Sequence, residues 1–339
     1  MAIDEIRKAM ESSARWLLDQ QDPSGGWGEQ PGKKPNTLNT AEVIIAILDV
    51  DGDVAQPGSA PIQHGVDFLL KHQLSGAMDS GAWPRGVPLD DGTLVKTPDI
   101  IRTSLAIQAL IKAGRGVTET SIRNAVDWLL RIRRIDKGWS HRGDATTTIM
   151  PTCFALMALV EACKAGSSAC KEAIQEGLEF LATEYQRNDG SFGEPGPLTA
   201  AHTIYATLVL QKARRYGLPS YSQQERRAID WLLVNPDEAK KLVEERVLLD
   251  ATNSRENYSY LYMTGSLLIR VLNGCDDSED WRALCPGTRS LALKTTWTPR
   301  GAFTATACSP GLRRWPYWRW GLPPSNTRSF RDGLPSTGA

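Results

Sequence analysis

Two carboxyl groups that could donate a proton lie ahead of strongly apolar segments. Asp99 precedes "IIRTSLAIQAL", and Asp144 follows "KGWSHRG" and precedes "PTCFALMAL". A carboxyl group serves as a proton donor near neutral pH only where desolvation raises its pKa. Arg102, one turn after Asp99, would instead keep that carboxyl ionised. We therefore treat Asp99 and Asp144 as candidate catalytic acids, with a helix cap or an ion pair as the structural alternative.

Aromatic residues accompany these segments. Aromatic faces stabilise carbocations and pack hydrocarbon chains, so they are candidate substrate-binding groups. The alternative is that the aromatics of the turns wedge neighbouring helices together. The candidates are Trp83, Trp139, Phe192, His202, Tyr205, Tyr258 and Tyr262, with His141 and Tyr260 nearby.

The composition is that of a globular protein that can bury a large core. The chain has 339 residues, of which 41% are apolar and 23% charged, and no apolar run approaches the roughly 18 residues of a membrane span. The six cysteines contain no C-x-x-C pair, which indicates reduced thiols and predicts a cytoplasmic protein. The net charge is zero because an acidic body offsets a basic tail. An acidic body argues against a nucleic-acid partner.

An internal repeat organises the chain. Five segments begin alike, at intervals of about 50 to 60 residues, and the first four lead into a glycine turn that carries an aromatic residue. The shared openings are "WLLDQQ" at Trp16, "FLLKHQ" at Phe68, "WLLRIR" at Trp128, "FLATEYQ" at Phe180 and "WLLVNP" at Trp231. A second, nearly all-apolar segment follows each turn and aligns on one threonine: Thr40, Thr103, Thr152, Thr203 and Thr264.

This pattern predicts pairs of helices. The first segment of each pair is amphipathic and should lie outside, whereas the second is apolar on all sides and must be buried. One pair cannot cover its own apolar face, so successive pairs must stack. No strand pattern competes for these segments, and we predict an all-α protein with inner helices lining a central cavity. Residues 1–275 would form this body, and the Pro-, Trp- and Arg-rich residues 276–339 would be irregular, as a basic interaction arm or a non-native end.

The repeat resembles that of squalene-hopene cyclases and related terpenoid cyclases. "WLLDQQDPSGGW" fits the family's aromatic-Leu-x-x-x-Gln-x-x-x-Gly-x-Trp motif, and the units at Phe68 and Phe180 fit with small insertions, while Arg133 replaces the glutamine of the third unit. The resemblance covers residues 4–272. It implies the α/α toroid that terpenoid cyclases share with protein prenyltransferase β subunits, and a central cavity that holds an isoprenoid chain.

The resemblance also shows which catalytic group is missing. The cyclases protonate their substrate with an Asp-x-Asp-Asp motif just before the inner-helix threonine, but the proton donor's position holds Leu38, Ile101, Met150, Ala201 and Tyr262. A tyrosine is about 8 kcal/mol worse than a carboxylic acid as a proton donor. Asp99 occupies only the first position of the motif.

Prenyltransferase β subunits instead hold zinc with an aspartate, a cysteine two residues later and a histidine one repeat on. Cys153 and His202 match two of these ligands, but Pro151 stands where the aspartate should be. Zinc needs three or more protein ligands, so we favour no metal site, with Cys153 and His202 as the open alternative and Mg²⁺ or Zn²⁺ as candidate cofactors.

The sequence thus predicts a terpenoid-cyclase-like protein that binds an isoprenoid or similarly hydrophobic molecule. Cyclisation or isomerisation of a prenyl substrate by a non-standard acid is the favoured activity. A zinc-dependent prenyltransferase-like enzyme and a non-catalytic lipid-binding or scaffold module are the alternatives. We expect neither a nucleic-acid partner nor a membrane span, although transient membrane contact is compatible with the sequence.

Overall fold

The computed structural model describes residues 3–50, 54–76, 78–88, 94–141, 147–193, 199–235, 292–297 and 303–308. Helices dominate these residues. The outer helices are α1 (Ile3–Asp19), α3 (Ala60–Lys71), α5 (Thr120–Arg131), α7 (Lys171–Glu184) and α9 (Ser222–Val234). The inner helices are α2 (Thr37–Leu48), α4 (Ile100–Lys112), α6 (Ile149–Lys164) and α8 (Thr199–Arg215). A short 3₁₀ turn, Ser168–Cys170, leads into α7.

The helices form two layers. Inner helices pack against one another in order, α2 on α4, α4 on α6 and α6 on α8, and each outer helix also packs against an inner helix. The core between the layers contains fully buried residues such as Ile44, Ile107, Leu156 and Val209. This alternation confirms the predicted α/α toroid class. The fifth inner helix, predicted around Thr264, lies outside the described residues.

Two small antiparallel hairpins are additions to the predicted helices. Strands β1 (Trp83–Pro88) and β2 (Leu94–Asp99) pair so that Trp83 is opposite Asp99. The prediction of no strands concerned the helical segments, and this hairpin lies between the second turn and its inner helix, where Val87, Val95 and the Asp91-Gly92 pair are a hairpin signal. The hairpin returns the chain directly to the start of α4.

The second hairpin belongs to a separate compact unit. Met1 with residues 284–339 forms one unit, and residues 2–283 form the other. Within the smaller unit, β3 (Ala292–Trp297) pairs with β4 (Phe303–Cys308) in antiparallel register. The predicted boundary near residue 275 stays a prediction. None of the described helices is long and apolar enough to cross a lipid bilayer.

Candidate functional site

Each inner helix is fixed to its turn by the repeated threonine. The backbone N–H of the turn aromatic donates to the threonine Oγ1 in all four described repeats. The four bonds are Trp27 to Thr40 at 2.9 Å, Trp83 to Thr103 at 2.9 Å, Trp139 to Thr152 at 3.0 Å and Phe192 to Thr203 at 2.9 Å. All four threonines are fully buried. The threonines therefore satisfy buried N–H groups that would otherwise lack an acceptor.

The turn aromatics lie in the corners between helices. The indole N–H groups of Trp27, Trp83 and Trp139 donate to backbone carbonyls of the preceding outer helices at 2.7, 2.7 and 2.9 Å. The Trp139 ring lies against Gly177 of α7. A Cβ atom at this glycine would be 3.2 Å from Cζ3 of the ring. Trp83, Trp139 and Phe192 are fully buried. These contacts agree with the wedge alternative, and the predicted substrate contact of the three side chains stays a proposal.

The repeated glutamine joins consecutive repeats. The Gln21 amide donates to Gly25 O at 2.7 Å in its own turn and to Pro61 O at 2.8 Å in α3. Gln73 and Gln186 make the equivalent pair of bonds to their own turns and to Ser121 of α5 and Gln224 of α9. Arg133 takes this role in the third repeat, binding Lys137 O at 3.1 Å and Glu176 of α7 at 2.5 Å. The motif that identifies the repeat is thus a structural clamp.

We define the inner face as the side of α2, α4, α6 and α8 turned away from the outer helices. Ile44 of α2 and Leu156 of α6 mark the opposite side, because they lie against Gly65 of α3 and Gly177 of α7. The partly exposed residues of the inner face are Asn39, Glu42, Val43, Arg102, Gln108, Met150, Met157, His202 and Leu208. These residues are mixed, with four apolar and five polar side chains, and the ionisable groups Glu42, Arg102 and His202 lie in the first halves of their helices.

One repeat position supplies a row of side chains on this face. The residue two after each threonine is Glu42 in α2, Leu105 in α4, Phe154 in α6 and Tyr205 in α8. The rings of Phe154 and Tyr205 pack with their centroids 5.2 Å apart. The row therefore joins a carboxyl, two apolar side chains and a phenol.

Asp99 is the N-cap residue of α4. Its Oδ1 accepts a hydrogen bond from Arg102 N at 2.8 Å, and its Oδ2 lies 3.5 Å from the Arg102 guanidinium. The ion pair with Arg102 that the sequence indicates is present, and the role of Asp99 as an acid stays a proposal.

Glu42 is the titratable group of the inner face that the sequence reasoning missed. Burial raises its pKa from 4.5 to about 7, against the opposing effects of the Asn39 hydrogen bond and the Arg102 charge. Its one hydrogen bond among the described residues is long, 3.4 Å from Asn39 Nδ2 to Oε2. The available signal was a single carboxyl in the apolar segment "NTAEVIIAIL". Glu42 follows its threonine, whereas the acid motif of the cyclases precedes it.

His202 and Tyr205 both lie on α8 and carry buried polar atoms without a partner among the described residues: His202 Nδ1 and the Tyr205 hydroxyl. Burial lowers the pKa of His202 to about 4, so its ring is neutral. Nδ1 lies against the turn at Gly193. A Cβ atom at that glycine would be only 2.4 Å from Nδ1, so a larger residue would not fit there. Burial raises the pKa of Tyr205, with smaller contributions from Glu42 and Cys153.

The candidate zinc ligand Cys153 lies in the core. Cys153 is fully buried, and burial raises the pKa of its thiol, which opposes formation of the thiolate that zinc needs. No group of three or more His, Cys, Asp or Glu side chains is placed to hold a metal within the described residues. Of the other candidates, Asp144, Tyr258, Tyr260 and Tyr262 lie outside the described residues, and His141 is exposed.

Polar contacts tie the other ends of the inner helices together. Lys212 of α8 lies 2.7 Å from Glu161 of α6 and donates to Gln108 of α4 at 3.1 Å. Tyr216 donates to Glu161 at 3.2 Å, and Lys164 lies over the Tyr216 ring at 4.5 Å. These groups are mutually paired. They close the inner face at one end with a polar layer.

Comparisons with known proteins agree with this architecture. Residues 39–201 match the squalene-hopene cyclase C-terminal domain. The squalene-hopene cyclase of Zymomonas mobilis subsp. mobilis is 25% identical over 274 residues, which are 69% of this chain and 40% of that protein. The chain thus spans less than half of that relative's length. The predicted resemblance to squalene-hopene cyclases is confirmed.

Solved structures resemble the chain at lower identity. A protein from Actinoplanes has a TM-score of 0.52 at 17% identity, over 70% of this chain and 69% of its own. An ent-copalyl diphosphate synthase from Streptomyces platensis has a TM-score of 0.49 at 22% identity, over 66% of this chain and 39% of its own. The Actinoplanes protein shares the fold.

Proposed function

We propose that the protein binds an isoprenoid chain along the inner face and cyclises or isomerises it through a carbocation. The observation that carries the proposal is the composition of that face: Leu105, Phe154, Met157 and Leu208 offer apolar side chains, and the charged Lys212–Glu161 pair lies at one end. A hydrocarbon chain gains about 25 cal/mol for each square ångström of apolar surface that leaves water. The match to a squalene-hopene cyclase domain supports the same substrate class.

The aromatic residues of the inner face suit a cationic intermediate. Phe154 and Tyr205 present two ring systems with centroids 5.2 Å apart, and ring faces attract positive charge most strongly where water is excluded. The remaining candidate binding residues, Trp83, Trp139, Phe192, His202, Tyr258 and Tyr262, belong to the same proposal. Their contribution would be packing against the chain.

The proton donor differs from the family's motif in this proposal. Asp99 would act only after substrate displaced Arg102, whose guanidinium lies 3.5 Å from the Asp99 Oδ2. Asp144 is the second candidate. Exchange of either aspartate for asparagine removes the acid and retains the shape.

The non-catalytic alternative rests on one observation. None of the proton-donor positions before the inner-helix threonines carries a carboxyl group, so the fold could serve to hold a lipid without converting it. The zinc-dependent alternative has weaker support because Cys153 is enclosed in the core.

Product analysis separates these functions. Purified protein is incubated with linear prenyl diphosphates, squalene and prenylated aromatics, with and without Mg²⁺ and Zn²⁺, and products are identified by mass spectrometry. The proposal predicts isomeric products of unchanged mass without added zinc, and their loss in Asp99→Asn or Asp144→Asn. Turnover that survives in both variants would contradict the acid assignment. Tight binding without turnover would favour the lipid-binding module, and zinc-dependent transfer to an acceptor would favour the prenyltransferase.

A further inference from the structure

The same repeat position carries a charged side chain in all four described inner helices. The residue nine positions after each repeated threonine alternates in sign along the chain: Asp49 at the end of α2, Lys112 of α4, Glu161 of α6 and Lys212 of α8. We call these four residues the charged layer. The repeat thus places one charge at the same height of each inner helix.

The charges of the layer are paired between helices. Lys212 Nζ lies 2.7 Å from Glu161 Oε1, and the Lys112 ammonium contacts the Asp49 carboxylate. Lys212 also donates to Gln108 Oε1 of α4 at 3.1 Å. The layer therefore joins α2 to α4, α4 to α8 and α6 to α8.

The contact between α4 and α8 places the layer on the inner face. Both helices pack against α6, so a side chain that reaches from one to the other must cross α6. The outer side of α6 is covered by α7, where Gly177 lies against Leu156. Lys212 therefore crosses on the inner side. It shares a stripe of α8 with Tyr205 and Leu208, at spacings of three and four residues.

A hydrocarbon chain cannot cover this layer without a cost in free energy. The side chains of Lys212 and Glu161 are 21% and 22% exposed, so water still reaches both charges. A chain that covered the pair would remove this water, and desolvation of a charge is unfavourable. The surface that favours a hydrocarbon therefore ends at the charged layer.

The distance from the helix starts to the layer limits the chain that fits. Helices α4 and α6 begin at Ile100 and Ile149, and Lys112 and Glu161 follow these residues by twelve positions. Twelve residues of α-helix extend about 18 Å, at about 1.5 Å per residue. An extended isoprenoid unit has four carbon–carbon bonds of about 1.5 Å and advances by roughly 5 Å. Three units therefore fit before the layer, and a fourth reaches it.

We propose that the charged layer sets the length of the hydrocarbon chain that the inner face accommodates, with Lys212 as the specificity-determining residue. This inference rests on the proposed function and narrows its substrate class to linear chains of about three isoprenoid units, or about 15 carbon atoms. A fourth unit stays outside the inner face and adds no apolar contact.

Binding of a chain-length series tests this limit. Dissociation constants of geraniol, farnesol and geranylgeraniol, which have two, three and four units, are measured in detergent micelles by competition with a fluorescent isoprenoid. The ratio of the farnesol and geranylgeraniol constants is then compared between proteins, because partition into the micelles affects every variant alike. Thermal unfolding verifies that each variant is folded.

The variants separate the length limit from helix packing. Lys212→Ala removes the ammonium and shortens the side chain, while Glu161 keeps its hydrogen bond from Tyr216. Lys212→Arg retains the charge. Arg214→Ala is the matched control, because Arg214 lies on the same helix but pairs with Glu225 of the outer helix α9 at 3.1 Å. If Lys212→Ala does not fold, Lys212→Met, which removes only the charge, replaces it.

We expect the unaltered protein to bind farnesol more tightly than geraniol, and geranylgeraniol no more tightly than farnesol. Lys212→Ala should shift the ratio roughly fivefold to tenfold in favour of geranylgeraniol, because the fourth unit then gains apolar contact. Lys212→Arg and Arg214→Ala should retain the original ratio, although Arg214→Ala also loses an ion pair.

An unchanged ratio in Lys212→Ala, or an equal change in Arg214→Ala, would overturn the length limit while the proposed isoprenoid binding stands. Tighter binding of geranylgeraniol than of farnesol by the unaltered protein would overturn it in the same way. If none of the three alcohols competes, the proposed function and the length limit fail together.

Discussion

Replacement of Glu42 by glutamine should stabilise the protein at alkaline pH and much less at acidic pH. In the folded protein the Glu42 pKa is raised from 4.5 to about 7. At about 1.4 kcal/mol per pKa unit, ionised Glu42 costs about 3 kcal/mol of folding free energy above pH 7, as an upper bound because the side chain keeps some contact with water. Glutamine has nearly the same shape and no charge, so it avoids this cost.

The sign follows from proton uptake. The folded protein holds the Glu42 proton more tightly than the unfolded chain, so the contribution of Glu42 is most favourable below about pH 4.5 and is lost as the pH rises to about 7. His202 has the opposite dependence, because burial lowers its pKa from 6.5 to about 4. Its contribution to the free energy of unfolding therefore rises as the pH increases from about 4 to about 6.5. The two dependences partly cancel in the unaltered protein. The difference between the variant and the unaltered protein isolates Glu42.

Urea unfolding followed by far-ultraviolet circular dichroism, at about pH 5 and about pH 8, measures this difference. Glu161→Gln is the matched control. Burial opposes its ionisation, but Lys212, Lys164 and Tyr216 together hold the pKa of Glu161 below its ordinary value. Because the contribution of Glu161 is present above about pH 4.5, this control should destabilise the protein by nearly the same amount at both pH values. If the Glu42→Gln effect is the same at both pH values within about 0.5 kcal/mol, the carboxyl is not held in a desolvated position and the reasoning fails.

The structural clamps give further predictions. Gln73→Ala removes the hydrogen bonds to its own turn and to the next repeat and should lower the free energy of unfolding by about 1–3 kcal/mol. Gln56→Ala, at an exposed position, is the control and should have almost no effect. Equal effects of the two substitutions would refute the clamp. Thr152→Val leaves the buried Trp139 N–H without its 3.0 Å acceptor and should cost about 1–3 kcal/mol in urea unfolding, and a neutral result would contradict its role. Lys137 has a φ of 75° at the position where the other repeats have glycine. Lys137→Gly should therefore raise the free energy of unfolding by about 1 kcal/mol, although it removes the exposed ion pair with Glu176. A lower free energy of unfolding would contradict backbone strain at this residue.

The sequence predicted the helix pairs because their signal is local and repeated. Trp27 and Gln21 occur at fixed spacing, and this spacing indicates a corner whose polar groups bind helix ends, as observed in the bonds to Leu17 O and Pro61 O. A buried inner helix likewise reveals itself by apolar residues on every side. Repetition made each of these patterns recognisable without tertiary information.

The chemistry of the inner face was less accessible from sequence. The pKa of Glu42 depends on its burial and on Arg102, which is distant along the chain and becomes a neighbour only when α4 packs on α2. Asp99 has an unmistakable local partner in Arg102, so its ion pair was foreseeable. The hairpin β1–β2 was missed because its strands are short insertions within a helical repeat.

Photo-crosslinking tests the central claim most directly. A benzophenone-bearing isoprenoid is irradiated with the protein, and the modified residues are identified by peptide mass spectrometry. The account predicts crosslinks on the inner face, at Leu105, Met157 and Leu208, that excess unlabelled isoprenoid suppresses. Crosslinks confined to the outer helices, or inner-face crosslinks that competitor does not reduce, would contradict it.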